Sequence, residues 1–303
     1  MGGSLDIKEF KILAALEANG AQALTQRELA ALADMSVGAI NKTMADLGSQ
    51  GFVQKGGITP TGLEALEPYR VKRAVLIAAG FGSRLVPITL NTPKPLIRVH
   101  GQRIIDSLLD AVYAAGIEEV YVVRGYLAEQ FDQLLYKYPQ LQFIENPMYN
   151  EANNISSICV AKDLLANAYI LESDLLLYNP KLITKYQYAS NYLGVPVEVT
   201  DDWCFETRRK IITSLAVGGR DCHHMFGLSY WTEEDGKKIA EDAVATYEMP
   251  GGKERYWDEV PLRYFAQNYR VLVRECSFDD IIEIDTYREL QELDPAYEGH
   301  PLA

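Results

Sequence analysis

Residues 78–96 hold the densest concentration of chemistry-bearing side chains in the sequence. They run Ala78-Ala79-Gly80-Phe81-Gly82-Ser83-Arg84-Leu85, and a few residues on Pro93-Lys94-Pro95-Leu96. Without Cβ atoms, Gly80 and Gly82 let the backbone come close to a phosphate chain and aim N–H groups at it. Arg84 adds a planar fork for phosphate oxygens, and Lys94, fixed between two prolines, adds a point charge. The glycines do not form a dinucleotide fingerprint, which needs a third Gly and an acid about 20 residues on. They also lack the Gly-Lys-Ser/Thr of a P-loop. The combination predicts a polyphosphate site with Arg84 and Lys94 as its catalytic cations. Such a site calls for Mg²⁺ held by carboxylates, and Asp174, just past an apolar strand, is the first candidate ligand. Glu172 and Glu259 are expected to point away as neighbours on the opposite face. The four histidines and the hydroxyls form no nucleophilic triad, which suits a reaction whose nucleophile is already an anion.

The elements around these residues alternate. Ala74–Ala78 reads as a buried strand running into the glycine turn, and Ile104–Ala115 as a helix stopped by Gly116. Glu119–Val123, Gln142–Ile144 and Ala168–Leu171 read as further strands, with Ala128–Tyr136 and Ile155–Leu165 as helices between them. Val271–Glu275 and Thr286–Leu293 read as a last strand and a closing helix. This rhythm predicts an α/β fold with a parallel sheet and a ligand at the carboxyl ends of its strands. Candidate ligand contacts there are the backbone of Ala78, Ala79, Gly80, Gly82 and Ser83, then Gly125-Tyr126, Asn153, Asn154 and Ser157. Asn carries both donor and acceptor, although one of the two can equally cap the helix from Ile155.

Before residue 71 the periodicity is mainly helical. Ile7–Leu16 is amphipathic and stops at Asn19-Gly20, Thr25 and Glu28 form a capping box, and Ser36 caps a third helix. Phe52–Thr59 reads as a two-stranded wing and residues 61–66 as a helix. The chain therefore divides into a winged helix-turn-helix over residues 1–70 and an α/β domain over 71–303. Residues 1–70 carry six Lys/Arg against eight Asp/Glu. DNA binding there is open but not favoured by charge, and dimerisation or packing is the alternative. Met1-Gly2-Gly3-Ser4 reads as an unstructured start with no secretory core behind it.

Composition excludes other classes. With 48% hydrophobic residues over 303 positions the chain is neither collagenous nor disordered. A net charge of −13 gives no general attraction to nucleic acid or anionic membrane. Four cysteines without a CxxC pair point to a reducing, cytoplasmic setting, and no apolar run is long enough for a membrane helix.

From the Gly-rich loop onward the sequence resembles the nucleotidyltransferases that make sugar nucleotides and CDP-alcohols. The resemblance continues through Gly125-Tyr126, Asn153-Asn154, Ser157, Asp174, Trp203, Phe205, Gly227, Ser229–Trp231 and Tyr256-Trp257-Asp258. In that order the residues look like those of the bacterial CTP:phosphocholine cytidylyltransferases, over about residues 72–293. The likeness implies a Rossmann-like nucleotidyltransferase fold with a mixed, mostly parallel sheet, behind a small winged-helix domain. It implies Mg²⁺-dependent CMP transfer from CTP to phosphocholine, with Asp258 as the second metal ligand beside Asp174. Trp203, Phe205, Tyr256 and Trp257 would be substrate-binding aromatics, with Asp201, Asp202 or Glu206 as an anionic complement for the quaternary ammonium. Asp285 also matches the wider family, with capping of the last helix as its alternative. Acceptors such as 2-aminoethylphosphonate, phosphoethanolamine or a sugar 1-phosphate keep the same chemistry. A ligand-sensing transcription regulator is the alternative of another class, and a homodimer is open.

Overall fold

The computed structural model describes residues 4–20 and 24–298. Met1–Gly3 of the expected unstructured start lie outside the described residues. The chain divides into two compact units: residues up to Arg70 together with Tyr186–Tyr188, and residues 71–185 with those from Ala189 on.

The first unit is built from local signals. Asp6 and Glu9 form a capping box for α1 (Ile7–Asn19), which stops at Gly20, φ 63°. Thr25 and Glu28 do the same for α2 (Gln26–Ala33), and Ser36 caps α3 (Val37–Ser49). A two-strand wing follows, β1 (Val53–Gln54) against β2 (Gly57–Ile58), and Thr59 caps α4 (Pro60–Leu66). Each cap satisfies backbone donors that the first turn leaves orphaned. Ile12, Leu13, Ile40, Leu47 and Leu66 are buried in this unit's core, and Tyr186 joins them from the distant segment.

In the second unit, β3 (Arg73–Ala78) is buried on both faces, which is why it reads as a continuous apolar run. A small hairpin, β4 (Arg98–Val99) with β5 (Gln102–Arg103), leads into α5 (Ile104–Ala114). Then come β6 (Glu119–Arg124), β7 (Gln142–Glu145), the short α6 (Ile155–Val160), β8 (Ala168–Glu172) and β9 (Leu175–Leu177). The region of 128–136 is a 3-10 run, and α6 gives way to a 3-10 turn at Lys162, so two expected helices are shorter or tighter. A long hairpin follows, β10 (Asn191–Arg208) with β11 (Ile211–Trp231), and then α7 (Glu233–Glu248), β12 (Leu272–Glu275), β13 (Ile281–Glu283) and α8 (Tyr287–Leu293). The sheet order is β10-β12-β11-β8-β3-β6-β7. β3 pairs in parallel with β6 and β8, β6 with β7, and β10 with β12, while β11 runs antiparallel to β8 and β10. The fold is Rossmann-like, with a mixed, mostly parallel sheet. No helix among the described residues is long and apolar enough to cross a membrane.

Candidate active site

A cavity of about 580 Å³ opens where β3 and β8 end, as the rule for parallel sheets requires. Its floor is the turn after β3. Gly82 takes φ 68°, and a Cβ there would lie 3.1 Å from Lys94 Cβ, so this position needs glycine on both counts. A Cβ on Gly80 would meet no atom within 4 Å. Ala78, Ala79, Gly80, Gly82, Ser83, Arg84 and Lys94 all line the cavity, as the sequence predicts.

Lys94 is buried, and its Nζ donates to Asp174 Oδ2 at 2.8 Å and to Asp285 Oδ1 at 2.9 Å. Burial pulls its pKa down, but these two carboxylates outweigh that and hold it above the ordinary lysine value. Arg84, more exposed, donates from Nη2 to the same Asp285 oxygen at 2.9 Å. Burial raises the Asp285 pKa and Lys94 and Arg84 more than reverse it, so its carboxyl stays below the usual range. Asp285 therefore does not cap α8. Thr286 does, and its side chain accepts from Glu289 N.

Asp174 sits two residues past β8, in a bend tied down by Ser173, whose Oγ donates to Ile77 O at 2.5 Å. Asp174 Oδ1 is buried with no hydrogen-bond partner. Pairing of β9 with β13 places Leu175 opposite Glu283, so Glu283 arrives beside Asp174. Oxygens of Glu172, Asp174 and Glu283 all lie within 4.8 Å of one another. Glu172 thus corrects the expectation that it points away: it stands at i and Asp174 at i+2, which share a face of an extended chain. Glu172 reaches the cavity because its neighbour across the sheet is Gly227, where a Cβ would sit 2.6 Å from Glu172 Cγ. Burial first, then the charges of Asp258 and Asp174, raise the Glu172 pKa well above the carboxylate range. Glu283 is raised in the same direction, again chiefly by burial. Glu259, by contrast, is turned to Arg263 at 2.8 Å and does not line the cavity.

Asp258 lines the cavity but stands outside this oxygen cluster. Its carboxylate accepts from the hydroxyl of the fully buried Tyr192. Burial pushes its pKa up to about 7 against the lowering pull of that bond. The carboxylate that shares Lys94 with Asp174 is Asp285, while Asp258, the other expected metal ligand, lines the same cavity.

At the other end, Trp203 and Tyr256 face each other with ring centroids 5.6 Å apart and planes at 67°, beside Asp202. Phe205 and Trp257 do not join them. Both are completely buried in the core around Tyr192: register shifts between Thr200 and Trp203 and around Cys204 and Phe205 break the alternation of β10, and the residue after Tyr256 turns inward. That corrects their assignment as substrate contacts. Gly125 and Tyr126 also stand off the cavity wall. Tyr126 donates to Thr89 O and Leu90 O, and Gly125 leaves room for Tyr149, which does line it. Asn153, Asn154 and Ser157 line the cavity, with their polar atoms engaged in the protein. Asn153 bridges Glu254 O and Asn154 N, and Asn154 bridges Trp257 N and Glu172. Ser157 accepts from the buried Asn146. Asn154 occupies the helix N-cap position without making a side-chain cap. Glu283 and Tyr149 carry no local sequence signal, because pairings across the sheet and between loops bring them in, and Gly227 is singled out by the resemblance without its place against Glu172.

Residues 73–194 match the family model described as nucleotidyl transferase, and residues 5–54 match the winged helix-turn-helix DNA-binding model. The chain is 36% identical over 228 residues to the 2-aminoethylphosphonate cytidylyltransferase of Lancefieldella rimae, covering 74% of this chain and 92% of that one. It is 29% identical over 228 residues to the choline-phosphate cytidylyltransferase of Streptococcus pneumoniae, covering 73% and 97%. A solved structure of the CTP:phosphocholine cytidylyltransferase from Streptococcus pneumoniae has a TM-score of 0.69 at 29% identity, over 76% of this chain and all of that one. The glycine turn, the buried lysine and the carboxylates at the end of β8 thus belong to a chain that is similar over about three quarters of its length to known cytidylyltransferases, and this protein belongs to the nucleotidyltransferase family as a cytidylyltransferase with a winged helix-turn-helix domain in front.

Proposed function

We propose that the protein transfers CMP from CTP to the phosphoryl or phosphonyl oxygen of a short acceptor whose other end is a cationic amine, releasing pyrophosphate. The observation that carries this reading is the aromatic corner of Trp203 and Tyr256, with Asp202 beside it, in the same cavity as Lys94, Arg84 and the Gly-rich turn. A cation is held by ring faces and a nearby carboxylate, about 0.5–2 kcal/mol for each ring contact. With Phe205 and Trp257 in the core, two rings remain of the four expected. Two rings make an incomplete box for a trimethylammonium and suit a primary ammonium that also uses carboxylates. 2-Aminoethylphosphonate is therefore the first acceptor, a choice also supported by the 36% identical relative. Phosphocholine is the second reading, favoured by the Trp203–Tyr256 pair itself.

The acceptor oxygen is already anionic, so the reaction needs alignment and charge neutralisation rather than an activated nucleophile. The N–H groups of Gly80–Ser83 and the side chains of Lys94 and Arg84 bind the triphosphate and stabilise charge developing toward pyrophosphate. The unpartnered Asp174 Oδ1 and an all-oxygen donor set fit a hard divalent cation. Asp174 and Asp285, with Glu172 and Glu283 next to them, would hold Mg²⁺, which when bound supplies positive charge to phosphate oxygens.

Pyrophosphate release with CTP and Mg²⁺ tests the reading across 2-aminoethylphosphonate, phosphocholine, phosphoethanolamine and glucose 1-phosphate. Release with the amine acceptors, abolished in Asp174→Ala and shifted mainly in acceptor KM by Trp203→Ala, is expected. Release only with glucose 1-phosphate would discard the aromatic corner as an amine site. CTP binding without release from any acceptor would move the protein to the regulator class.

A further inference from the structure

Trp203 reaches the cavity from a stretch of β10 where the sheet ladder is interrupted. The register breaks between Thr200 and Trp203, and Cys204 then pairs with Ala216 and also with His224. Asp201 and Asp202 are the exposed excursion at this break. Side chains take over the backbone donors there: Asp202 N donates to Thr200 Oγ1 at 3.2 Å, and Trp203 N donates to Asp202 Oδ1 at 2.7 Å. A further side-chain bond ties this chain to β11, since Thr200 Oγ1 lies 3.1 Å from His224 Nδ1. The half-buried His224 ring packs on Phe226 and Phe278, with centroids 5.2 and 5.5 Å away, so packing sets its direction. Burial lowers the His224 pKa against the opposing pull of Asp202 and Asp201, so the imidazole is neutral at ordinary pH. Protonated at Nε2, it accepts the Thr200 hydroxyl proton at Nδ1 while the Thr200 oxygen accepts from Asp202 N, which uses that hydroxyl in both senses.

Resting on the reading of Trp203 as an acceptor contact, we infer that His224 is a positioning residue for acceptor binding: through the Thr200 hydroxyl it holds the break in β10 that sets Asp202 and Trp203 in the cavity wall. Asp202 and Trp203 line the cavity, whereas His224 and Thr200 do not, so these two act only through the segment they hold. The adjacent His223 has a different partner, with its Nε2 3.3 Å from Glu275 Oε1. The two neighbouring histidines are therefore divided between the two faces of β11 and do different work.

The tryptophans give a readout that needs no turnover. Of the three in the chain, Trp231 and Trp257 are completely buried and Trp203 is partly exposed, so quenching of fluorescence by acrylamide reads Trp203 in the protein without substrate. Thr200→Val keeps the shape and removes the hydroxyl, and His224→Ala removes its partner. Each should change the quenching constant and raise the KM for 2-aminoethylphosphonate and for phosphocholine about two- to tenfold, the range for one hydrogen bond. The kcat and the CTP KM should stay as in the wild type. Combining the two substitutions should cost no more than either one, because both break the same link. Thr200→Ser, which keeps the hydroxyl, should return both readouts to the wild-type values, and the two Thr200 variants carry the test if His224→Ala does not fold. Unchanged quenching and unchanged acceptor KM in Thr200→Val and His224→Ala would overturn the inference. So would losses spread equally over acceptor KM, CTP KM and kcat, which mark general damage, and so would an acceptor KM that rises in Trp203→Ala alone. Failure of the acceptor reading is told apart by Trp203→Ala itself: an unchanged acceptor KM there removes Trp203 as a contact, and the role of His224 in acceptor binding goes with it.

Discussion

Asp285 holds both cavity cations through a single oxygen, at 2.9 Å from Lys94 and 2.9 Å from Arg84. Asp285→Asn removes the charge that keeps Lys94 in place while sparing most of the packing. The expected result is a loss of kcat with CTP of about tenfold or more, since hydrogen bonds to charged groups contribute about 1.5–3 kcal/mol. Steady-state rates in Asp285→Asn and Asp285→Ala check it, and unchanged kcat in both would remove Asp285 from the machinery. Gly82→Ala is a backbone test. A left-handed conformation costs an L residue about 1–2 kcal/mol, and the added methyl presses on Lys94 Cβ and Thr89 Cγ2. Activity should fall much further than the melting temperature, and a variant with full activity would show that the turn tolerates a side chain. The two glycines, Arg84 and Lys94 are legible in sequence because they sit within one short stretch. Glu283 is not, and the reason for Gly227 is not, because their roles exist only against Asp174 and Glu172 across strand pairings.

At the scale of elements, the glycine turn and Asp174 follow directly from the ends of β3 and β8, whose apolar runs are visible in the sequence. The hairpin of β10 and β11 is harder to foresee. Its register shifts between Thr200 and Trp203 and again around Cys204 and Phe205, and such bulges break the period-2 pattern that marks a strand. Those same shifts decide that Trp203 lines the cavity while Phe205 goes to the core. Asn154 joins two elements through its side chain, so Asn154→Ala should lower stability by about 1–3 kcal/mol, the cost of stranding buried partners. It should also raise acceptor KM by loosening the segment that carries Tyr256. Urea unfolding and acceptor kinetics on the one variant separate the two effects, and neither moving would show that the bridge positions nothing.

On the scale of the whole molecule, the first unit is completed by a segment distant in sequence. Tyr188 stacks on Tyr69 at 5.4 Å and packs on Phe10 at 5.3 Å. Residues 71–303 expressed alone would expose these rings, and Tyr186→Ser/Tyr188→Ser should recover soluble yield in the truncated protein. Equal yields of the truncated forms would show that this packing is dispensable. With more acidic than basic residues over positions 1–70, binding to duplex DNA should not exceed a weak, salt-sensitive level. A gel-shift series at rising salt checks this, and a sequence-dependent complex at physiological salt would contradict it. By itself the sequence determined the α/β class, the winged helix in front, the glycine turn and the place of Asp174 after its strand, because each is written in local periodicity, caps or short-range spacing. Only the tertiary structure decided which carboxylates stand with Asp174, which aromatics face the cavity and which of them fill the core. Those choices depend on strand register and on side chains brought together from positions more than a hundred residues apart, as Lys94 and Asp285 are.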